Sequence, residues 1–122
     1  MNDVIDSVFG QSGIFSKEFP GYEPRPSQVK VATDIMTAFD SGQSAICEGP
    51  CGLGKSISYI VPAAYQVATN KKTIVIATAN IALQEQLINK DLPAMAAILP
   101  WKFTFALLKG INNYVCVKEL AE

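Results

Sequence analysis

The strongest constraint on the fold of this chain is a glycine-rich stretch between two apolar segments. Residues 49–56 read GPCGLGKS, which fits the phosphate-loop pattern G-x-x-x-x-G-K-[ST]. The segment Ser44 to Glu48 before it has the composition of a short strand, and Lys55 to Thr69 after it is predicted as a helix. At such a junction, backbone N–H groups and the helix dipole converge on one point. The sequence therefore predicts a site for a nucleoside triphosphate.

The residues of the loop have separate roles in this prediction. Gly49, Gly52 and Gly54 let the main chain wrap around a phosphate because they carry no Cβ. The Lys55 ammonium is expected to reach the β and γ oxygens, and the Ser56 hydroxyl is expected to bind Mg²⁺. A glycine-rich turn can also be a plain connection, but the strand before it and the helix after it favour phosphate binding.

Composition and periodicity together predict the fold class. The chain has 122 residues, of which 49% are hydrophobic and 17% charged, as expected of one compact domain. Further strands are predicted at Thr73–Ala77 and Phe103–Leu108, and helices at Ile81–Asn89 and Pro93–Leu99. Strands that alternate with helices indicate an α/β fold with a mostly parallel sheet.

The region before the loop has two parts. Residues 1–18 mix polar residues with isolated apolar ones and are predicted to be a weakly structured lead-in. A proline-rich segment follows at Phe19–Pro26, and Pro26 suits the first turn of a helix that runs to a stop at Ser41-Gly42. We expect this helix to bury one face.

Charge and cysteine usage limit the possible settings. The net charge is −1 with no histidine, so any DNA contact must be local or be supplied by other parts of a larger protein. Three cysteines without an apolar leader predict a reducing, cytoplasmic location, and no apolar run approaches the ~20 residues of a membrane span. Cys47 is expected to be buried on its strand, and Cys51 to be a small residue of the loop.

Three further segments resemble motifs of superfamily 2 helicases, in the family's order. Residues 22–28 (YEPRPSQ) look like the segment that precedes the phosphate loop, and residues 78–87 (TANIALQEQL) resemble motif Ia. Residues 109–116 (KGINNYVC) resemble the stretch before the first cluster cysteine in the iron-sulfur branch, the DinG and XPD-like DNA helicases. The resemblance implies that residues 19–122 are the N-terminal part of helicase motor domain 1, a partial RecA-like domain.

The resemblance also implies how ATP is recognised. Gln28 would read adenine, because its amide offers one donor and one acceptor to the N6 and N7 edge, and Arg25 would support it. Tyr22 or Phe19 would stack on the base. The residues alone leave open a plainer interpretation, in which Gln28 is an exposed polar residue on the first turn of a helix.

Motif Ia implies contacts with single-stranded DNA. The Thr78 hydroxyl and the Asn80 amide suit phosphate oxygens, and Gln84 follows them on the next helix. Thr78 is also placed to cap that helix, and the sequence does not separate the two roles. Gln84 could equally be an ordinary surface residue of a helix.

The resemblance makes Cys116 the first ligand of an iron-sulfur cluster. Such a cluster needs about four ligands, so one is expected only in a full-length parent protein. No two acidic residues are adjacent in this sequence, whereas ATP hydrolysis at such a site needs an acidic motif that holds Mg²⁺ and orients the water. The chain is therefore expected to be inactive by itself.

The leading hypothesis is that the chain is the ATP-binding N-terminal segment of an ATP-dependent DNA helicase of the DinG or XPD-like type. The family moves 5′ to 3′ on single-stranded DNA, and the remainder of the helicase would be the partner. The alternative is a non-catalytic nucleotide-binding regulator or decoy subunit of a full helicase. A kinase is disfavoured because no arginine follows Asn80. Whether the chain is a short natural product or a fragment stays open.

Overall fold

The computed structural model describes residues 2–48 and 55–121, and helices account for most of this part of the chain. The first group of helices is α1 (Asn2–Phe9), α2 (Ile14–Glu18), α3 (Pro26–Ser41) and α4 (Lys55–Asn70). Next come α5 (Ile81–Gln86), a π-helical turn (Leu87–Asp91) and α6 (Leu92–Ile98). A 3₁₀ turn (Ile111–Asn113) and α7 (Val117–Ala121) follow.

The predicted parallel sheet is wrong for the described residues, because none of them forms a strand. The segments expected to be strands at Ser44–Glu48, Thr73–Ala77 and Phe103–Leu108 have no regular secondary structure. Apolar alternation shows only that a segment suits a strand, whereas the strand itself needs a neighbour to complete its backbone hydrogen bonds. The consequence is exposed apolar surface, with Ile46 fully exposed and Val75 84% exposed.

Residues 2–18, expected to be weakly structured, instead form two helices that contribute to the core. Val8, Phe9 and Phe15 are all fully buried, and α1 packs against both α2 and α3. The chain turns sharply between α1 and α2, where a Cβ on Gly13 would lie 2.7 Å from the carbonyl oxygen of Val8. The short apolar stretches of this region bury their side chains only by packing against each other and against α3.

Helix α3 begins and ends as its local sequence predicts. Pro26 occupies the first helical turn, where a missing N–H is tolerated. At the other end Gly42 adopts a left-handed conformation (φ 67°), and the Gln43 N–H donates to the carbonyl of Ala38 at 3.0 Å. These signals act within a few residues, which explains why the sequence is sufficient to locate both ends.

Helix α4 packs along α3 and forms the centre of the molecule. Its buried residues include Ser58, Val61 and Gln66, and Pro62 lies inside the helix. Ile60, Val61 and Ala64 belong to the same apolar core as Ala32 and Met36 of α3. The start of α4 is therefore held at a defined position beside the start of α3.

The later helices cover the other side of α4. Helix α6 contacts α4 and contributes buried Met95, and Trp101 stacks edge-on against Tyr65 of α4 with ring centroids 5.3 Å apart. Across residues 2–48 and 55–121, we find no helix with the length and apolar character that crossing a bilayer requires.

Candidate functional site

A cavity lies between the N-terminal parts of α3 and α4. Its volume is about 350 Å³, within the order of size of small-ligand pockets. It brings Gln28 and Lys55 to the walls of one cavity, although they are far apart in the sequence. The other described lining residues are Ser27, Val31, Ile35, Ala45, Cys47, Glu48, Ser58 and Tyr59.

Gln28 lies on the first turn of α3 and is only 5% exposed. This burial rules out the plainer interpretation of Gln28 as an exposed surface residue. Arg25, its expected supporting residue, is exposed, occupies the N-cap position of α3 and does not line the cavity. Gln28 therefore forms part of the cavity wall, whereas Arg25 does not.

The phosphate end of the predicted site is only partly described. Lys55 is the first residue of α4, is exposed and lines the cavity. Ser56 is half-buried, and the hydroxyl of Tyr59 donates to its Oγ over 3.4 Å. Gly49, Gly52 and Gly54 lie outside the described residues, as does Cys51, so their wrapping of a phosphate stays a prediction.

The aromatic residues expected to stack on adenine lie elsewhere. Tyr22 packs edge-on against Phe15 at 5.6 Å between centroids, and its hydroxyl donates to the carbonyl of Phe9 at 3.0 Å. Phe19 belongs to the same cluster, 5.5 Å from Phe15. Burial raises the pKa of Tyr22, and the positive charge of Arg25 partly opposes that shift. Neither Tyr22 nor Phe19 lines the cavity, and both rings pack onto Phe15 of α2 instead.

Two cysteines are described, and neither is buried. Cys47 lines the cavity and is exposed, which makes its expected burial on a strand wrong. Cys116 is also exposed. Within 2–48 and 55–121, no three histidine, cysteine, aspartate or glutamate side chains are grouped closely enough to hold a metal ion.

A second, smaller cleft contains all the residues that motif Ia was expected to direct at nucleic acid. Thr78, Asn80 and Gln84 line a space of about 160 Å³. The amide of Gln84 also reaches across to donate to the carbonyl of Leu108 at 3.4 Å. The remaining described lining residues are Ala79, Ile81, Lys109, Gly110 and Asn113.

Lys109 and Asn113 are candidate site residues that the sequence did not identify. The backbone N–H of Lys109 donates to the hydroxyl of Tyr114 at 2.8 Å, which closes the short loop around Gly110 and Asn113. Lys109 begins the segment with a family resemblance, but that resemblance points to Cys116 and not to Lys109. The loop adds an ammonium and a second amide to the cleft.

Asn80, not Thr78, caps α5. Its Oδ1 accepts a hydrogen bond from the N–H of Ala82 at 2.7 Å, and Asn80 has the extended backbone of an N-cap residue. The Thr78 hydroxyl donates to the carbonyl of Asn80 over 3.4 Å. The capping role is therefore assigned to Asn80, and the Nδ2 group of Asn80 is the part of its amide that the cap does not use.

No family model matches this chain, but individual relatives do. It is 37% identical over 113 residues to "3′-5′ exonuclease DinG" of Bacillus subtilis and 36% identical over 114 residues to "ATP-dependent DNA helicase YoaA" of Escherichia coli. Each match covers 93% of this chain, but only 12% and 17% of the relative. "ATP-dependent helicase DinG" of Mycobacterium tuberculosis is 37% identical over 100 residues, 79% of this chain and 15% of that protein.

The resemblance expected from short motifs is thus confirmed over nearly the whole chain. The chain spans less than a fifth of the length of these relatives, so it corresponds to a small part of them. By sequence, this chain is thus similar to a short part of the proteins named DinG and YoaA.

Proposed function

We propose that this chain is the ATP-binding segment of an ATP-dependent DNA helicase of the DinG and YoaA type. The observation that carries the proposal is the cavity whose walls include both Gln28 and Lys55. A side chain suited to read a base and a side chain suited to bind phosphates thus line one space. The relatives named as ATP-dependent helicases support the same function.

Each end of the cavity has its own chemistry. At the α3 end, the Gln28 amide offers a donor and an acceptor to adenine, while the side chains of Val31 and Ile35 offer apolar contact to the flat base. At the α4 end, the Lys55 ammonium attracts the triphosphate, and the Ser56 hydroxyl is available to Mg²⁺. When bound, Mg²⁺ would neutralise phosphate charge. Tyr22 has no part in this proposal because its ring is used in the N-terminal cluster.

The second cleft is the proposed contact with DNA. Thr78, Asn80 and Gln84 supply neutral polar groups, and Lys109 supplies the positive charge that phosphate binding requires. The space of about 160 Å³ is small, and it suits a portion of the backbone better than a whole base. Single-stranded DNA, 5′ to 3′ movement and a cytoplasmic location are proposed for the longer parent.

An iron-sulfur cluster enters the proposal only for that parent. Cys116 is one exposed thiol, and the described residues group no further ligands around it. The described part of the chain therefore does not form a ligand set that fits a cluster. We do not propose the exonuclease activity named for the Bacillus subtilis relative, since the match covers only 12% of that protein.

A nucleotide-binding regulator of a full helicase is the second candidate. This candidate requires only binding without hydrolysis, and so it needs no acidic motif of the kind that hydrolysis uses. Purified chain that binds ATP, shows no turnover and captures a helicase would support this candidate. Turnover of ATP by the chain alone would exclude it.

Replacing Lys55 tests the proposal directly. Lys55→Ala removes an exposed charge from the start of α4 and takes nothing out of the core, so the helical circular dichroism should not change. Loss of one or two charge-assisted hydrogen bonds, each worth about 1.5–3 kcal/mol, should weaken Mg-ATP binding at least about tenfold in calorimetry. Lys72→Ala, at another exposed lysine outside the cavity, is the matched control and should bind normally. Equal ATP affinity in the Lys55 variant and the unmodified chain would refute the assignment.

A further inference from the structure

Helices α3 and α4 meet along two matched rows of buried residues. The row on α3 contains Gln28, Ala32 and Met36, and the row on α4 contains Ser58, Pro62 and Gln66. Within each row the residues are four positions apart, which places them on one face of a helix. Both rows begin at the proposed nucleotide cavity, which Gln28 and Ser58 line, and continue away from it.

The far end of these rows is joined by a polar cluster centred on Gln66. The Nε2 group of Gln66 donates to Asp40 Oδ1 at 3.0 Å and to the sulfur of Met36 at 3.6 Å. Its Oε1 accepts from Asn70 Nδ2 at 2.6 Å. Gln66 is 0% exposed, and its two amide protons and its carbonyl oxygen all have partners on α3 or α4. We call Gln66, Asp40, Met36 and Asn70 the amide clamp.

A buried glutamine is an uncommon choice where an apolar side chain would pack as well. Hydrogen bonds at such a position add direction, since they form in only one register of the two helices. The register fixed by the amide clamp sets the position of Gln28 on α3 relative to Lys55 on α4. The clamp lies two helical turns from Ser58, roughly 12 Å along α4.

Pro62 lies in α4 between the cavity and the amide clamp, at a point where the helix lacks one hydrogen bond. Because proline has no N–H, the carbonyl of Ser58 lacks its helical partner, and α4 is weakened between the cavity and the clamp. A weakened helix can bend and change the separation of the two rows. The hydrogen bonds of Gln66 hold the part of α4 beyond Pro62 against α3 and oppose such bending.

We infer that Gln66 is a positioning residue for nucleotide selection, which through the amide clamp holds the base-reading wall of the cavity in register with its phosphate-binding wall. This inference depends on the proposed function. A nucleotide held by its phosphates on α4 gains the base contacts only when α3 is in register. Loosening the clamp should therefore weaken ATP binding more than GTP binding, which lowers the ratio of the two affinities.

The test compares ATP and GTP dissociation constants of clamp variants by calorimetry. Gln66→Met keeps the side-chain volume and removes the hydrogen bonds, and it should reduce the ATP preference about fivefold, the factor for one net hydrogen bond. Asp40→Ala, at an exposed position, removes the same link with less risk to folding and should act alike. Asp40→Asn keeps an acceptor for Gln66 and should retain most of the preference.

Val8→Ala is the matched control for lost stability, because Val8 is fully buried in α1 and does not line the cavity. It should lower the melting temperature without changing the ratio of ATP to GTP affinity. If Gln66→Met and Asp40→Ala only lower the melting temperature and leave the ratio unchanged, the inference is overturned and the proposed function stands. If the unmodified chain binds no nucleotide, or binds both equally, the proposed ATP recognition fails and the inference fails with it.

Discussion

Replacing Gln28 should separate recognition of the base from recognition of the phosphates. Adenine presents a donor at N6 and an acceptor at N7, and the Gln28 amide can match both. Guanine shares the N7 acceptor with adenine but presents an acceptor, O6, in place of the N6 donor, so the Gln28 carbonyl meets no donor from this base. At a site that is only 5% exposed, the lost hydrogen bond and the unsatisfied carbonyl together cost about 1–3 kcal/mol. A cost of about 2 kcal/mol corresponds to a preference for ATP of about 30-fold.

We expect Gln28→Ala to lose most of this 30-fold preference by weakening ATP binding, with less effect on GTP. Alanine is a strong helix former, so α3 should persist in circular dichroism. Gln28→Glu keeps the volume of the side chain but offers only acceptors, and it should also lose the preference. That result would exclude the lost side-chain volume as the cause of the effect in Gln28→Ala. Gln43→Ala, at an exposed glutamine just beyond α3 and outside the cavity, is the matched control.

The assay is calorimetric titration of each variant with Mg-ATP and with Mg-GTP. The result that refutes the reasoning is equal affinity for the two nucleotides in the unmodified chain. A Gln28→Ala variant that weakens both nucleotides by the same factor would also refute it, since Gln28 would then contribute to the shape of the cavity and not to base reading.

Two further predictions concern Tyr22 and the second cleft. Burial raises the pKa of Tyr22 above its usual 10.0, so the folded state holds this proton more tightly than the unfolded state. The contribution is fully present below the unfolded pKa and is lost as pH rises through the folded pKa, so urea titrations should show stability falling above about pH 10. Tyr22→Phe should remove this dependence and cost about 1 kcal/mol through the lost hydrogen bond to Phe9; an unchanged profile would contradict the assignment. Lys109→Ala should weaken binding of single-stranded DNA and reduce the salt slope by about 0.7, the value for one phosphate contact. Lys102→Ala, outside the cleft, should not, and equal effects of the two would exclude a specific role for Lys109.

The helices of this chain were largely predictable because their signals are local. Pro26 and Gly42 mark the ends of α3 through their own backbone limits, and residues 55–69, predicted as a helix, all lie in α4. The predicted helix from Ile81 has that same first residue in the structure. Each of these features depends on residues within about one helical turn.

The predicted strands are wrong for the described residues, and the packing of residues 2–18 was not predictable from local signals. A segment such as Thr73–Ala77 has the composition of a strand, yet a strand exists only where a second backbone completes its hydrogen bonds. Phe15 is fully buried because Phe9, Phe19 and Tyr22 pack around it, and the spacing of these residues does not predict that cluster. Both outcomes depend on which distant segments meet.

The sequence by itself determined the relationship to DinG and YoaA and the identity of Gln28 and Lys55 as candidates, because residue types and their order suffice for both. Only the tertiary structure decided that these two residues share one cavity, that Asn80 is the cap, and that Lys109 joins Thr78 in a cleft. Burial and distance are properties of the packed chain. Burial and distance are set when the buried rows of α3 and α4 align, and the local sequence does not specify that alignment.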